Sequence, residues 1–290
     1  MVLWGAAFVP VLTGLWAFEI EPSLLIVRQQ RVELAGWPQD VRVAVLSDLH
    51  VGSTGVPVAQ LRNIVERTNG EHPDLIVLLG DYIHGGRGGN QEAQRNHFVP
   101  PETIAAELAH LHAPLGVYAV LGNHDWWFDG ERTARALQNA KLTVLENQAV
   151  HINKGHFWLG GIADLWTRNP DVAGTLRQVD DSEPVVLITH NPDIFPDVPP
   201  RVSLTIAGHT HGGQVRLPFY GRPIRTSEFG YDAGMFMNQG RDLFVTTGIG
   251  TSIMDVRFGV PPEIVILTLT AAREGSASPV SETRSFGTAR

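Results

Sequence analysis

Five short apolar runs in this chain each end in side chains that can bind metals. Val41–Leu46 leads into Ser47-Asp48-Leu49-His50, and Leu75–Leu79 into Gly80-Asp81. Val117–Leu121 leads into Gly122-Asn123-His124-Asp125, Val185–Ile188 into Thr189-His190-Asn191, and Leu204–Ala207 into Gly208-His209-Thr210-His211. Neutral imidazole is the commonest nitrogen ligand near physiological pH, and Asp and Asn add oxygen donors. The chain contains no cysteine, so a metal here would meet only nitrogen and oxygen. Taken alone, His209-x-His211 reads equally well as two half-exposed turn histidines. Its weight comes from the other four runs, each of which supplies a partner just past its carboxyl end.

Short continuous apolar runs of this kind suit strands buried on both faces. In open α/β sheets, ligands bind outside the carboxyl ends of such strands. Amphipathic patterns between the runs predict helices over Pro57–Gly70, Pro101–His112 and Glu131–Lys141, and a short helix capped by Asp171 and reaching Val179. Strand-like runs at 24–27 and 31–34 lead to a turn at Gly36-Trp37-Pro38. Leu142–Leu145, Ala149–Ile152 and Phe157–Ile162 follow one another without helices, as do Leu243–Thr247 and Ile264–Leu269. The pattern is βα units plus antiparallel strands, which implies two sheets with helices outside. His84–Pro100 and Gly212–Gly240 read as loops, the second long enough to be a hairpin or flap.

The chain has 290 residues, 43% apolar and 18% charged, with a net charge of −8. That composition fits a globular protein with ample core. The acidic balance argues against a nucleic-acid footprint. Residues 1–18 carry no charged side chain. As a helix they would span about 27 Å, close to the bilayer hydrocarbon thickness. The expectation is an N-terminal membrane helix and a membrane-associated protein, with Trp4 and Trp16 near the two ends of the span.

The ordered set Asp48-x-His50, Gly80-Asp81, Gly122-Asn123-His124-Asp125, His190 and Gly208-His209-x-His211 resembles the calcineurin-like metallophosphoesterase superfamily, over about residues 41–270. Gly208–Gln214, Gly248-Ile249-Gly250 and Pro262-Glu263-Ile264 look like its bacterial YkuE/YaeI-type branch, whose members are often associated with the inner membrane. The resemblance implies an α/β fold with two mixed β-sheets packed as a sandwich and flanked by helices, an α/β/β/α arrangement. The main domain would cover 41–271, after edge strands and a linker at 19–40 and before a disordered tail at 272–290.

The resemblance also implies a dinuclear metal site. Asp48, His50 and His211 would hold one divalent ion, Asn123, His190 and His209 the second, and Asp81 would bridge both. Two ions close together repel, and a shared carboxylate and hydroxide screen that repulsion. The donor set suits Mn, Fe or Zn, and the branch resemblance favours Mn. His124 would donate a hydrogen bond or proton to the leaving oxygen, with Asp125 orienting its imidazole. His84, Arg222 and Arg225 are candidate substrate contacts. Trp126 and Trp127 would either wall a substrate groove or pack in the core, and Arg257 reads equally as structural or functional. The function implied is hydrolysis of a phosphodiester or pyrophosphate bond by a metal-bridging hydroxide, on a substrate that the apolar N-terminus suggests is lipid-linked. The alternatives are a phosphomonoesterase, a phosphodiesterase for cyclic nucleotides or other soluble substrates, and a metal-bearing scaffold without turnover.

Overall fold

A computed structural model describes residues 10–85, 98–252 and 254–272. In chain order the strands are β1 (Ile26–Leu34), β2 (Val41–Leu46), β3 (Leu75–Leu78), β4 (Val117–Ala119), β5 (Thr143–Val144), β6 (Gln148–Ile152), β7 (Phe157–Gly161), β8 (Val185–Ile188), β9 (Leu204–Ala207), β10 (Gly234–Asn238), β11 (Arg241–Val245) and β12 (Glu263–Ala271). The helices that matter for packing are α1 (Val58–Gly70), α2 (Pro101–Leu108), α3 (Asn123–Asn139) and α4 (Val172–Leu176).

The strands form two mixed sheets of six, ordered β1-β12-β2-β3-β4-β5 and β10-β11-β9-β8-β7-β6. The expected two-sheet α/β architecture is present. Alternation along each strand dictates the layering. In β2, Val41, Val43 and Val45 face the second sheet, where they meet Phe157, Val186, Ile188, Ile206 and Phe244. Ala44 and Leu46 point the other way, against Leu61, Ile64 and Val65 of α1 and Ile104 and Leu108 of α2. The outer face of the second sheet packs Val185, Leu187 and Val245 on Ile194, Phe195 and Val198.

β2, β3 and β4 run parallel, as do β7, β8 and β9. The residues that follow β2, β3, β4, β8 and β9 therefore meet at one edge of the sandwich. β1 is a single strand paired in parallel with β12 along its whole length, not two short ones.

The expected N-terminal membrane span is not found. Among the described residues, no helix is long and apolar enough to cross a membrane. Residues 1–9 lie outside the described residues. From residue 10 the chain forms a short helix to residue 15, then a π-helical turn Trp16–Ile20 and a 3-10 turn Glu21–Ser23. The apolar composition of 1–18 was real, but the charges that follow it do not mark a membrane boundary. Glu21 is buried, accepting from Trp16 Nε1 at 2.6 Å and from Val260 N at 2.7 Å. Arg257 N donates to Ala17 O at 2.9 Å. The segment is thus stitched to the body of the protein. The inner-membrane location expected from a spanning helix is therefore not supported. The tail beyond residue 272 and most of the 84–100 loop also lie outside the described residues.

Arg257 is fully buried. Its guanidinium donates to Thr247 O, Gly250 O and Val260 O. Burial lowers its pKa to about 10, so it stays charged at neutral pH. Its role is structural: it ties the N-terminal turn to the Gly248–Gly250 loop. Arg257→Met would keep the volume but strand the buried carbonyls of Thr247, Gly250 and Val260. It should cost about 3 kcal/mol or more of unfolding free energy in a urea titration. Loss of less than about 1 kcal/mol would show that the tie is dispensable.

Candidate metal centre

The strand ends turn sharply to aim their side chains. Asp48, His50, Asp81, His209 and His211 all have left-handed backbone, with φ of 53°, 40°, 55°, 69° and 50°. For residues other than glycine this region is sparsely populated and costs energy. Five such residues in one cluster mark a backbone bent for a purpose. Close approach by glycine permits the crowding. A Cβ on Gly122 would overlap Asp81 Oδ1 and stand 2.7 Å from His190 Cε1. One on Gly208 would overlap Ser47 Oγ and press on Asp48 Oδ2 at 2.7 Å.

Two sets of donors result. In the first, Asp48, His50 and His211 each bring one donor atom within 4.8 Å of the others. Asp48 Oδ2 accepts from Ser47 Oγ at 2.5 Å and from His209 N at 3.0 Å. That leaves Oδ1, buried and without a hydrogen-bond partner, 3.3 Å from His211 Nε2. His50 Nδ1 lies 3.2 Å from Ile83 O, and its Nε2 lies 3.2 Å from His211 Nε2.

In the second set, His190 Nε2 is 3.1 Å from Asn123 Oδ1 and 3.1 Å from His209 Nδ1. His190 Nδ1 sits 2.8 Å from Leu79 O, which can only accept a proton. The two sets share Asp81. Its Oδ1 accepts from His124 N at 2.8 Å. Its Oδ2 stands 3.6 Å from His50 Nε2 and 3.3 Å from His190 Nε2.

These contacts fit divalent cations. Carbonyls hold the Nδ1–H of His50 and His190, so in the neutral rings both Nε2 lone pairs face inward. They meet carboxylate oxygens and an amide oxygen, which can only accept, and ring nitrogens of His209 and His211, which accept in the tautomer that offers them to a cation. Among protein groups, such a cluster of facing lone pairs has too few protons to satisfy it, and cations supply what is missing. The electrostatics agree. Burial holds the His50 and His209 pKa values well below the usual range and lowers His211 to about 4, so these rings offer lone pairs at neutral pH. For His190 burial also lowers the pKa, but Asp81 leads the carboxylates that outweigh it and raise it to about 10. A proton there occupies the place of a cation.

His124 sits beside the donors. Its Nδ1 contacts Gly85 O at 2.5 Å, and its Nε2 lies 3.4 Å from Ser252 Oγ and 3.9 Å from Asp81 Oδ2. Asp125 does not orient this ring. Its carboxylate accepts from the backbone N–H of Asp81, Tyr82 and Gly122 at 2.8, 2.9 and 2.9 Å. It closes a capping box at the start of α3 and pins the turn that carries Asp81. Burial, and then the neighbouring Asp81 charge, push the Asp125 carboxyl up to about 7. Gly85 O takes the orienting role that the sequence assigned to Asp125.

The softer candidates divide. His84 is placed edge-on to His50, ring centroids 6.4 Å apart. Arg222 is engaged with Asp232 at 2.7 Å, and Arg225 is exposed on the flap. Trp126 packs against the helical side of the core with Arg168 over its ring at 4.1 Å. Trp127 instead lies beside His124, ring centroids 4.9 Å apart. Sequence reasoning missed Trp166, whose ring is 4.3 Å from that of His209. It also missed Ser252, which Gln214 holds in place by accepting from its N–H at 2.7 Å.

A family model described as calcineurin-like phosphoesterase matches residues 41–213. This chain belongs to the calcineurin-like phosphoesterase family. It is 31% identical over 266 residues to the uncharacterized metallophosphoesterase YkuE of Bacillus subtilis, covering 88% of each chain. It is 33% identical to phosphodiesterase YaeI of Escherichia coli, over 79% of this chain and 82% of that one. It is 26% identical to the UDP-2,3-diacylglucosamine pyrophosphatase LpxG of Chlamydia trachomatis, over 89% and 93%. With two adjoining His/Asp donor sets in this fold, the family member is a metal-dependent phosphoric ester hydrolase with a dinuclear site.

Gly208→Ala tests the crowding directly. The added methyl would displace Ser47 and rotate Asp48 away. It should weaken metal affinity about 10- to 100-fold, the usual effect of disturbing groups that orient ligands. Titration of metal-free protein followed by calorimetry reads this. Unchanged affinity would mean that the close approach is incidental.

Proposed function

We propose that this chain hydrolyses a phosphodiester or phosphoanhydride bond with two Mn(II) ions. Asp48, His50 and His211 would hold one ion, Asn123, His190 and His209 would hold the other, and Asp81 would be shared. The observation that carries this reading is the position of Asp81 Oδ2, within 3.6 Å of His50 Nε2 and 3.3 Å of His190 Nε2. One carboxylate oxygen thus faces both donor sets. The oxygen donors Asp48, Asp81 and Asn123, mixed with imidazoles and free of sulfur, favour Mn, with Fe and Zn as competitors. When bound, the ions supply Lewis acidity toward phosphoryl oxygens and make water a nucleophile near neutral pH.

The chain's own groups do the rest. Gly85 O accepts the His124 Nδ1 proton and so aims Nε2 into the site. A proton held at Nε2 is delivered to the leaving oxygen. Ser252 Oγ, 3.4 Å from that nitrogen, steadies it while no substrate is present. The backbone N–H that His124 donates to Asp81 Oδ1 couples the acid to the shared carboxylate.

Two of the described cations support a preference for diesters and anhydrides. A phosphomonoester dianion would call for an uncommitted guanidinium or ammonium over its extra charge. Arg222 is paired with Asp232, and the Arg257 guanidinium is spent on backbone carbonyls. YaeI is named a phosphodiesterase and LpxG a pyrophosphatase, which supports the same choice.

The test compares bis(p-nitrophenyl) phosphate with p-nitrophenyl phosphate. Metal-loaded protein should favour the diester, and chelation should abolish turnover, with Mn restoring it better than Zn. His124→Ala should lower kcat about 10²- to 10⁴-fold while metal content stays the same. Turnover that persists after metal removal would contradict the proposal, and a strong preference for the monoester would reverse the substrate assignment.

A further inference from the structure

We propose that Trp127 and Trp166 form a stacking shelf for one planar ring of the substrate, a nucleobase joined through its pentose to the scissile phosphate. The inference rests on the phosphodiester reading above and gives it a substrate class.

Four rings line one rim of the metal centre. His124 and Trp127 lie 4.9 Å apart, Trp127 and Trp166 6.3 Å apart, and Trp166 and His209 4.3 Å apart. The rim therefore runs from the group that protonates the leaving oxygen to a ligand of the second ion. The two indole planes are only 28° from parallel. Trp166 is nonetheless 51% exposed beside this buried, polar centre. The exposed indole offers a ligand an apolar face directly beside the donor sets.

The exposure does not come from a loose loop. Asp164 is buried, and its Oδ2 accepts from Trp166 N at 3.2 Å, Thr167 N at 2.9 Å and Thr167 Oγ1 at 2.6 Å. Arg168 N returns to Asp164 O at 3.0 Å, and Arg168 Nε is held by Glu146 at 2.6 Å. The indole is presented by a turn already ordered before ligand arrives, so binding pays little for arranging it.

The size of the apolar face selects the occupant. An acyl chain needs a long apolar trough. Past Trp166 the surface is Thr167, Arg168 and Asn169, with Arg168 committed to Trp126 and Glu146. That side is therefore polar, and apolar surface continues only beyond Trp127, where the exposed Phe128 pairs with Phe98 at 5.0 Å, among the described residues. A flat heteroaromatic ring stacks on an indole face without needing hydrogen-bond partners there. The chain's net charge of −8 disfavours a polynucleotide, so the ligand is a single nucleoside unit, not a strand.

The experiment uses two esters that share a scissile bond and differ only in the base: the methyl ester of uridine 5′-phosphate and the methyl ester of ribose 5-phosphate. In the metal-loaded wild type the base should lower KM about tenfold, the size of one base stacked on an aromatic side chain. In Trp166→Ala and in Trp127→Ala the two esters should become equivalent, with two ions still bound per chain. Trp166→Phe should keep most of the preference. Equal KM values in the wild type, a preference that survives both alanine variants, or a better fit for hexyl methyl phosphate than for the uridine ester would each overturn the shelf. If neither ester turns over, calorimetric binding of uridine 5′-monophosphate against ribose 5-phosphate decides the same question. Absence of metal-dependent hydrolysis of bis(p-nitrophenyl) phosphate would instead count against the phosphodiester reading, whatever the base does.

Discussion

The structure depends on a local excess of lone pairs. Asp48 Oδ1, Asp81 Oδ2, Asn123 Oδ1 and the inward nitrogens of His50, His190 and His211 crowd together at 3.1–3.6 Å, with carbonyls already holding the protons of two rings. Exposed groups of this kind are satisfied by bulk water, but these donors are buried. Dications would convert this mutual repulsion into coordination, and the surrounding fold holds the donors in place for them. The cost appears in the backbone, as five left-handed non-glycine residues around the centre.

The sandwich bears that cost by placing the carboxyl ends of β2, β3, β4, β8 and β9 along one edge. Each strand is short and mostly apolar, with Arg42 and Thr205 as exceptions, so its register is set largely by burial. Beneath the edge lies a polar girder. Arg257 grips the Gly248–Gly250 loop, whose Ile249 N and Gly250 N donate to Ser47 O and Asp48 O. Glu263 takes Thr246 Oγ1 and Thr247 N at 3.0 and 2.9 Å. The first donor set is therefore steadied from both sheets at once.

Much of this was legible in the sequence because it obeys local rules. Apolar runs followed by Asp, His or Asn give both the strand and the chemistry at its end, and α1 and α2 showed clean helical stripes. What escaped lacked a local pattern. α3 begins at Asn123, well before the stripe that starts at Glu131, because Asp129 interrupts it with φ −167° and Trp126-Trp127-Phe128 crowds one turn. Asp125 follows His124 in sequence yet turns its carboxylate to the backbone N–H groups of Asp81, Tyr82, Ile83 and Gly122. The apolar N-terminus looked like a span because hydropathy cannot show that Glu21 and Ala17 would find partners at Val260 and Arg257. Trp166 is a lone aromatic in a polar loop, and only the folded chain brings it to His209.

The central claim is that Asp81 joins two metal sites into one electronic unit. The most direct measurement is electron paramagnetic resonance of Mn-loaded protein, with metal content determined on the same sample. The account requires two ions per chain and an exchange-coupled dinuclear signal that Asp81→Asn abolishes. One ion per chain, or two uncoupled ions with a spectrum unchanged in Asp81→Asn, would contradict it.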